Sequence, residues 1–446
     1  MCGIIGYIGK RKALPVLING LKKLEYRGYD SAGVAFTRDG SLRIKRSVGK
    51  LINLEAAASD EDSGNIGIGH TRWATHGKPS EENAHPHRAG KIVLVHNGII
   101  ENYLDLKNRL IAGGHEFKSE TDTEVIAHLI EECIKGGNRF EPAVQKALSQ
   151  VRGAYALCIM HEDEPDKLIA AKNGCPIALG LGDGESFVAS DIPAILEYTR
   201  KVIFMDDMEM AIITGQGIEI KDLTGTPKKK EPVDISWNPV MAEKGGYKHF
   251  MHKEIHEQPM AIMNTMMGRI SLDSGMVSLD DIELSDSGIK GLDKIYIVAC
   301  GTSWHAALIG KYMIEGLARI PVEVDLGSEF RYRDPLIGKD DLLIAISQSG
   351  ETADTLAAIR EARSKGAKVI SICNVVGSSS TRESDGVLYT HAGPEIGVAS
   401  TKAFTSQLAA LFLLTIYIGQ AKGTLSEARS MELVSDFVRI PALIEE

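Results

Sequence analysis

The hydrophobic pattern of the chain changes near its midpoint. In the first half, up to about residue 240, short apolar stretches such as residues 153–159 alternate with turn formers, which is typical of antiparallel strands. With a few helices between them, these strands predict two layered sheets. Further on, apolar strands, glycine or serine turns and helices repeat at residues 295–299, 342–346 and 369–372. Strands that are apolar throughout, joined by crossover helices, predict a doubly wound parallel sheet.

Local patterns add helices and a boundary. Residues 14–24 have helical apolar spacing, and residues 26–33 interrupt it with two glycines and other turn formers, so a loop is expected there before a strand resumes. Residues 224–232 are charged and punctuated by two prolines, a composition typical of a linker or domain boundary. A helix is expected to follow and to end near residue 270.

Composition and charge narrow the possibilities. A chain of 446 residues with 43% hydrophobic and 25% charged residues is long enough for two or three domains. The net charge of −10, with basic residues scattered among acidic ones, argues against a nucleic-acid or acidic-membrane partner, although a local pocket can still bind a small anion. No stretch approaches 18 apolar residues, so no membrane span is predicted. Six cysteines without a Cys-x-x-Cys spacing disfavour disulfides and zinc and indicate the reduced cytoplasm.

Cys2 is a candidate nucleophile because it directly follows the initiator Met1. Removal of Met1 would place a thiol and a free α-amine on one residue. An α-amine has a pKa of roughly 7.7–8.0 and is therefore a suitable base near neutral pH. It can take the thiol proton directly or through one water, without a histidine from elsewhere. The alternative is a small buried residue at the start of an apolar strand.

Five histidines fall within residues 70–96. Such a density suggests a metal site, yet no pair has the helical His-Glu-x-x-His form and no cysteine lies near in sequence. We therefore expect no metal here and predict that these histidines pack and hydrogen-bond around a pocket.

Four residues near this stretch have side chains suited to binding an amino acid. The planar fork of Arg72 matches two carboxylate oxygens, although most arginines are simply exposed. Asn97 and the unhindered N–H of Gly98 can meet at one point, as an oxyanion hole requires, although Asn-Gly is also a common hairpin turn. Asp122 can hold an ammonium group, or can belong to an acidic helix cap.

In the second half, two hydroxyl-rich turns follow strands, at residues 300–303 and 347–352. Ligands on parallel sheets bind at the carboxyl ends of strands, and N–H groups with hydroxyls at a helix start can bind phosphate. Neither turn is a Walker loop or a dinucleotide fingerprint. Both could also be plain helix caps, and Cys300 could be an inert strand-end thiol.

The motifs at residues 2–6, 26–33, 70–77 and 96–102, in this order, resemble the N-terminal-nucleophile glutaminase domain of the glucosamine-6-phosphate synthase family. The resemblance covers essentially residues 2–240 and implies an αββα sandwich. It further implies that Cys2 attacks the side-chain amide of L-glutamine. The implied roles are oxyanion binding by Asn97 and Gly98, glutamine binding by Arg72, Thr75, His76 and Asp122, and gating of an ammonia passage by Trp73.

The two turns, together with residues 398–405, resemble the first sugar-isomerase (SIS) domain of the same family. This resemblance implies binding of D-fructose 6-phosphate, a homodimer, and no cofactor or metal. The implied sugar-phosphate ligands are Thr302, Ser303, Ser347, Gln348, Ser349 and Thr352.

The family has two SIS domains in tandem, and the sequence departs from it by stopping at Glu446. We expect a glutaminase domain at 2–240, a first SIS domain with its linker helix at 241–430, and the start of a second SIS domain at 431–446. The family's Schiff-base lysine, isomerising glutamate and one substrate-contacting histidine belong to that second domain, and Lys402 is not that lysine. The expectation for this sequence is therefore glutaminase activity and a partial sugar-phosphate site, with little or no formation of D-glucosamine 6-phosphate.

The full reaction implied is L-glutamine plus D-fructose 6-phosphate giving D-glucosamine 6-phosphate plus L-glutamate. Two alternatives stay open. A different amidotransferase with the same front domain, such as a phosphoribosyl-transferring one, would need an acidic pyrophosphate-binding fingerprint, which the sequence does not show. A non-catalytic sugar-phosphate sensor would hydrolyse no glutamine.

Overall fold

The computed structural model describes residues 2–25, 30–58, 63–73, 78–235, 246–279, 281–282 and 284–446. The chain forms two compact units, Met1–Pro239 and Val240–Glu446.

The first unit contains two antiparallel sheets within its described residues. The eight-stranded sheet has the order β15-β11-β9-β10-β1-β4-β2-β3, and the seven-stranded sheet has the order β14-β13-β12-β8-β7-β6-β5. Their strands are β1 (Gly3–Ile8), β2 (Ser31–Arg38), β3 (Ser41–Val48), β4 (Ile66–Arg72), β5 (His87–Ala89), β6 (Ile92–Ile100), β7 (Gly153–His161), β8 (Leu168–Asn173), β9 (Ala178–Leu181), β10 (Ser186–Ala189), β11 (Lys201–Phe204), β12 (Glu209–Thr214), β13 (Gly217–Asp222), β14 (Pro227–Lys228) and β15 (Val233–Asp234).

Side chains that alternate along each strand build two cores. Val93 and Val95 of β6 pack between the two sheets with Ile4 and Ile68 of the other sheet. Leu94, between them in sequence, points to the opposite face and joins a separate core. This period of two is what a strand covered on both faces requires.

Helices cover the outer faces of both sheets. The helices of this unit are α1 (Ala13–Leu24), α2 (Leu51–Ala58), α3 (Tyr103–Ala112), α4 (Glu124–Lys135) and α5 (Phe140–Leu148). α1 packs on β1 and β4, while α4 and α5 cover the seven-stranded sheet. The result is the αββα sandwich that the resemblance implies.

One local prediction for this unit is wrong, and one alternative is excluded. Ser31, Ala32 and Gly33, which were expected in a loop, begin β2, and residues 26–29 of the same motif lie outside the described residues. Asn97 and Gly98 do not form a hairpin turn, because they lie inside β6 opposite Ala156 and Tyr155 of β7.

The second unit is a parallel five-stranded sheet with the order β17-β16-β18-β19-β20. Its strands are β16 (Lys294–Ala299), β17 (Val322–Leu326), β18 (Asp341–Ser347), β19 (Lys368–Cys373) and β20 (Gly386–Tyr389). Its helices are α6 (Phe250–His256), α7 (Gln258–Met266), α8 (Asp286–Lys290), α9 (Thr302–Met313), α10 (Gly327–Tyr332), α11 (Ala353–Ser364), α12 (Ser379–Arg382), α13 (Lys402–Lys422) and α14 (Glu427–Glu445).

Helices cover both faces of this sheet, which confirms the predicted doubly wound fold. Ile295 and Ile297 of β16 pack on one face with side chains of α7, α9 and α13. Tyr296 and Val298 of the same strand pack on the other face with α10 and α11. Both faces of β16 are thus apolar, as the continuous apolar run predicted.

The helix expected to end near residue 270 is two helices that end at Met266. Glu257 closes α6 and precedes α7, and Pro259 occupies the first turn of α7. Proline has no N–H to bond back into a preceding turn, so α6 ends here.

The sequence predicts no membrane span, but α13 is a long and largely apolar helix of 21 residues. By length and composition α13 could span a membrane, but 67% of its most apolar window is buried inside the unit. Leu413, Leu414 and Ile418 belong to the core beside the sheet. α14 joins the same core through Val434 and Phe437. The start of another domain at residues 431–446 stays a prediction.

Candidate active site

The thiol of Cys2 lies at the end of the central strand β1, next to the last residues of β4. The N–H of Trp73 donates to Cys2 Sγ at 3.3 Å, and Sγ lies 3.6 Å from the carbonyl oxygen of the same residue. Burial raises the pKa of the Cys2 thiol, although the hydrogen bond with the Trp73 backbone opposes the shift. The thiol is therefore protonated at neutral pH and needs a base to become a nucleophile.

Cys2 opens into a cavity of about 330 Å³. Several side chains predicted to act on glutamine line it together with others that the sequence did not single out. The lining residues are Cys2, Arg72, Trp73, His85, His96, Asn97, Gly98, Ile99, Thr121, Asp122, Thr123, Cys175 and Pro176.

The amide of Asn97 is oriented by a buried histidine. His70 Nε2–H donates to Asn97 Oδ1 at 3.0 Å and lies 3.0 Å from the carbonyl oxygen of His96. Because Oδ1 faces His70, the Nδ2 group faces the other way, and it donates to the Cys2 carbonyl at 3.2 Å. An N–H donor is thus held beside the residue that carries the nucleophile, as an oxyanion hole requires.

Gly98 has a backbone conformation that other residues avoid. Its φ is +131°, and a Cβ atom here would lie 2.0 Å from the carbonyl oxygen of Ala154 on β7. Close pairing of β6 with β7 therefore requires glycine, and it leaves the Gly98 N–H without a side chain beside it.

A chain of hydrogen bonds fixes the histidines behind the cavity. The His96 N–H donates to His85 Nδ1 at 3.2 Å, so the proton of His85 is on Nε2, 3.4 Å from Thr123 Oγ1. The Thr123 hydroxyl can then donate to His96 Nδ1 at 2.8 Å. His85 also stacks on His70, with ring centroids 4.1 Å apart. The prediction that these histidines pack and hydrogen-bond around a pocket is confirmed for the three rings that line or support it.

Burial keeps these rings neutral. It lowers the pKa of His70 to about 3, against the opposing hydrogen bond to Asn97, and lowers the pKa of His85 well below its usual range. Burial and the charge of Arg46 together lower the pKa of His87 to about 3. Neutral rings keep the fixed donor and acceptor roles that orient Asn97.

Asp122, two residues before α4, contributes a carboxylate to the lining of the cavity. Asp122 is 4% exposed, and its Oδ2 accepts the Ile100 N–H at 2.8 Å, which ties it to the end of β6. Glu124 accepts the N–H of Ser119 at 2.7 Å and the N–H of Lys118 at 2.9 Å. Burial opposes ionisation of Glu124, but these bonds and His128 lower its pKa to about 2. Because Thr123 is the N-cap residue of α4, Asp122 lines the cavity rather than capping the helix.

Arg72 and Trp73 close the cavity beside Cys2. Arg72 is the last residue of β4 and is 3% exposed, so it is not a surface arginine. Trp73 follows it and is 54% exposed. Thr75 and His76, which the sequence also assigned to glutamine binding, lie outside the described residues.

The two hydroxyl-rich turns of the second unit lie side by side. β16 and β18 are parallel neighbours with Ala299 opposite Ile346. Thr302 and Ser303 start α9 directly after β16, and the turn at residues 347–352 leads from β18 to α11. The sheet therefore brings both turns to the carboxyl edge of the strands, as predicted.

Internal hydrogen bonds shape the second of these turns. Ser347 Oγ accepts the Gly350 N–H at 3.0 Å and lies 3.0 Å from Thr352 Oγ1. Ser349 Oγ accepts the Glu351 N–H at 3.2 Å. The Gln348 carbonyl accepts the Asn374 N–H at 3.2 Å. The turn is thus built by its own side chains and backbone before any ligand binds.

Two further contacts define this edge. Ser303 Oγ accepts a hydrogen bond from Gln407 Nε2 at 3.0 Å, which ties the first turn to α13. Glu351 accepts the N–H and hydroxyl of Ser379 at 2.8 and 2.9 Å.

The ammonium of Lys402 is buried against the carboxylate of Glu257 at 2.7 Å.

Sequence reasoning missed several of these residues. Cys175 and Pro176 follow β8 of the seven-stranded sheet and line the cavity. Thr123, directly before α4, contacts both His96 and His85. Nothing in their local sequence marks them. Glu351 sits inside a motif that was recognised, and its position at a helix start was the available signal.

Comparisons with known proteins agree with this architecture. Residues 70–197 match the model of the glutamine amidotransferase domain, and residues 289–417 match that of the SIS domain. An antiparallel sandwich with a cysteine cavity, followed by a parallel sheet with hydroxyl-rich turns, thus defines a glutamine amidotransferase joined to a SIS domain.

Curated relatives identify the family. The chain is 54% identical over 449 residues to the glutamine–fructose-6-phosphate aminotransferase (isomerizing) of Clostridium tetani, and 53% identical over 448 residues to that of Caldanaerobacter subterraneus. In both cases the alignment covers all of this chain and 73% of the relative. The chain belongs to the glutamine–fructose-6-phosphate aminotransferase (isomerizing) family, whose members are enzymes of glutamine-dependent amino-sugar synthesis.

A solved structure is also similar. The C-terminal domain of glucosamine-fructose-6-phosphate aminotransferase from Francisella tularensis is 44% identical, with a TM-score of 0.43, over 45% of this chain and 56% of that one.

Proposed function

We propose that this chain hydrolyses L-glutamine at Cys2 to L-glutamate and ammonia, and that it supplies part of the D-fructose 6-phosphate site at which the family forms D-glucosamine 6-phosphate. The observation that carries the proposal is the meeting of Cys2, Asn97 and Gly98 at one cavity that Arg72 and Asp122 also line. These residues come from four separate parts of the sequence.

The chemistry begins with the thiol. After removal of Met1, the α-amine of Cys2 accepts the Sγ proton, and the sulfur attacks the side-chain carbonyl carbon of glutamine. The carbonyl oxygen becomes an oxyanion that accepts hydrogen bonds from Asn97 Nδ2 and the Gly98 N–H. The protonated amine then gives its proton to the leaving nitrogen, and the C–N bond breaks to release ammonia.

Water completes the half-reaction. It attacks the thioester, the amine takes a proton from it, and the C–S bond breaks to give L-glutamate and the free thiol. Because Cys2 has a raised thiol pKa, a base on the same residue is more effective than reliance on spontaneous ionisation.

Charge determines how glutamine lies in the cavity. The guanidinium of Arg72 binds the α-carboxylate and the carboxylate of Asp122 binds the α-ammonium, with Thr75 and His76 completing this end. Trp73, beside the sulfur, gates the exit of ammonia. A substrate that lacks one of the two α-groups would lose the contact made by that group.

The second unit binds the acceptor. Thr302, Ser303, Ser347, Gln348, Ser349 and Thr352 hold D-fructose 6-phosphate, chiefly through hydroxyl and N–H contacts to the phosphate at the starts of α9 and α11. In the full reaction of the family, ammonia adds at the ketose carbonyl, water leaves, and isomerisation gives the aldose amine.

The corresponding organisation is a glutaminase domain at residues 2–240 and a SIS domain at residues 241–430, in a homodimer in the cytoplasm. All six cysteines are free thiols, as a reducing compartment would maintain them.

The test is labelling and turnover of the Met1-processed protein, verified by intact mass. Cys2→Ala is expected to abolish glutamine hydrolysis and labelling by 6-diazo-5-oxo-L-norleucine. Cys175→Ser is the matched control, because Cys175 lines the same cavity, and it should retain both. Glutamine hydrolysis by Cys2→Ala at the native rate would overturn the proposal.

A parallel assay tests the acceptor. Glutamine hydrolysis is measured with D-fructose 6-phosphate and with phosphoribosyl diphosphate, and binding of each is measured by calorimetry. Binding of the first alone supports the proposal. Binding of phosphoribosyl diphosphate instead would favour the other amidotransferase class, and sugar-phosphate binding without any glutamine hydrolysis would favour a sensor.

A further inference from the structure

A second group of chemically active side chains lies outside the glutamine cavity. His115 follows α3, and His128 and Glu131 lie three residues apart on one face of α4. Within the described part of the chain, these are the three metal-ligating side chains whose donor atoms all lie within 4.8 Å of one another. They border a separate open cavity of about 830 Å³.

The donor atoms form a compact triangle. His115 Nδ1 and His128 Nδ1 are 3.0 Å apart. Glu131 Oε2 lies 3.5 Å from His115 Nδ1 and 3.8 Å from His128 Nδ1. Zinc bonds to histidine and carboxylate measure about 2.0–2.2 Å, which places two ligand atoms of a tetrahedral site roughly 3.3–3.5 Å apart. The three observed separations surround that value.

A hydrogen-bonded histidine pair alone does not explain the arrangement. If both rings are neutral, one Nδ1 donates its proton to the other. The carboxylate oxygen of Glu131 then faces the same point as a further acceptor. A divalent cation at that point would satisfy all three acceptors. The ring that donates in the hydrogen-bonded pair would move its proton to Nε2, so no net proton leaves the histidines.

The surroundings include the second layer of contacts that metal-bound histidines usually have. His128 Nε2 lies 3.6 Å from the carboxylate of Glu124, which is itself fixed by the N–H groups of Lys118 and Ser119. A carboxylate behind a histidine ligand fixes the ring and its tautomer. The edge of Phe117 packs against the same ring, at 4.4 Å between centroids.

We propose that His115, His128 and Glu131 form a zinc-type binding site, with the adjacent cavity supplying a water as the fourth ligand. Two histidines with one carboxylate are a donor set that zinc accepts. The metal would tie the segment after α3 to the middle of α4. This goes beyond the glutamine chemistry and does not depend on it, and it revises the expectation from sequence that the protein binds no metal.

The test is titration of the metal-free full chain with Zn²⁺, and with Co²⁺ as a spectroscopic probe. A Cys2→Ala background keeps the nucleophilic thiol from binding metal, so the outcome is independent of the glutaminase proposal. We expect one Zn²⁺ per chain, a rise in Tm, and visible Co²⁺ bands of a four-coordinate site without a thiolate charge-transfer band.

Single-residue variants test whether Zn²⁺ binds to these three side chains rather than elsewhere on α4. Glu131→Gln and His115→Gln should each weaken Zn²⁺ binding by at least about 100-fold, since losing even a second-layer partner can cost that much. Glu132→Gln is the control, because Glu132 lies on the same helix and pairs with Arg109 at 3.4 Å. It should bind Zn²⁺ like the parent protein.

Lys135 offers a second, independent variant, because its side chain is exposed and its Nζ lies 3.1 Å from Glu131 Oε1. Lys135→Met removes a competing cation and should tighten Zn²⁺ binding severalfold. Absence of stoichiometric Zn²⁺ binding to the parent, or equal binding by parent, Glu131→Gln and His115→Gln, would overturn the proposal.

Discussion

The two candidate substrate sites are built in opposite ways. The cavity around Cys2 collects side chains from strand interiors and strand ends that are far apart in sequence, and buried histidines hold them in place. The turn after β18 is local: its serines and threonine hydrogen-bond to one another and to its own backbone. The first site therefore depends on long-range packing, whereas the second depends on the conformation of six residues.

This difference follows from the two sheets. In an antiparallel sandwich both faces of a strand are occupied, so a polar site needs buried polar support, and each unsatisfied group is costly. In a parallel sheet every strand ends at the same edge, where helix starts supply N–H donors without extra support. Substitutions should consequently act at long range in the first site and locally in the second.

The largest effect is expected from Asn97→Ala. Removing one oxyanion donor should lower kcat for glutamine hydrolysis by about 10²–10³-fold with little change in KM. Steady-state glutaminase kinetics measure this. Asn53→Ala is the control, because Asn53 is an exposed asparagine whose amide donates only to the nearby Val48 carbonyl. A parent-like kcat for Asn97→Ala would show that Asn97 is not an oxyanion ligand.

The next effect tests the local turn. Gly350 has φ of +68°, and a Cβ there would lie 2.0 Å from Ser378 Oγ, whereas Gly366 has φ of +85° and its nearest neighbour would be 3.9 Å away. Both Gly→Ala changes meet the same backbone strain, but only Gly350→Ala also meets a clash. Gly350→Ala should therefore cost roughly 1–3 kcal/mol more in unfolding free energy.

Chemical denaturation of both variants, with calorimetric titration of D-fructose 6-phosphate, measures this difference. Sugar-phosphate binding should fall in Gly350→Ala and persist in Gly366→Ala. Equal destabilisation by the two changes would mean that the close approach of Ser378 does not constrain the turn.

How much of this the sequence predicts depends on the range of the interactions. The strands and the parallel sheet follow from local apolar patterns, and the turns at residues 302–303 and 347–352 were predicted because each is continuous in sequence. The convergence of Cys2, Arg72, Asn97 and Asp122 was predicted only through the resemblance of ordered motifs. No periodicity would have brought them together.

Tertiary contacts decide what the local sequence leaves open. The dipeptide Asn97-Gly98 favours a hairpin, but pairing of β6 with β7 keeps it in a strand. The Thr123 bridge between two histidines joins residues with no shared pattern. The break between α6 and α7, in contrast, was readable from Pro259.

A further effect separates the two units by pH. The pKa of His70 is about 3 when folded and about 6.5 when unfolded, so below pH 6.5 the unfolded chain takes up a proton that the folded chain refuses. Stability of the first unit should fall between pH 6.5 and about 3, by up to about 1.4 kcal/mol per pH unit for each such histidine. Above pH 6.5 these histidines do not make the unfolding free energy depend on pH.

Hydrogen exchange of the whole chain from pH 7 to pH 4 tests this. Opening free energies of amides in β4 and β6 should fall more than those in β16 and β18. His70→Gln should reduce the slope in the first unit only. An equal fall in both sheets would place the acid sensitivity elsewhere than in the buried histidines.

The smallest expected effect compares two serines of one turn. Ser347 Oγ accepts the Gly350 N–H and contacts Thr352, so Ser347→Ala should lower the unfolding free energy by about 1 kcal/mol and also weaken sugar-phosphate binding. Ser349 Oγ accepts the N–H of Glu351, two residues further along the same turn. Ser349→Ala should weaken binding while stability changes by only a few tenths of a kcal/mol.

Denaturation and calorimetric titration with D-fructose 6-phosphate, performed on both variants, separate the two roles. If the turn is preformed, as its internal hydrogen bonds indicate, stability and affinity change together in Ser347→Ala and separately in Ser349→Ala. If both variants lost affinity without losing stability, the turn would be shaped by the ligand instead. The two sites would then differ in when they form. The histidine-supported cavity around Cys2 would exist before its substrate binds, whereas the turn would take its shape only when the sugar phosphate binds.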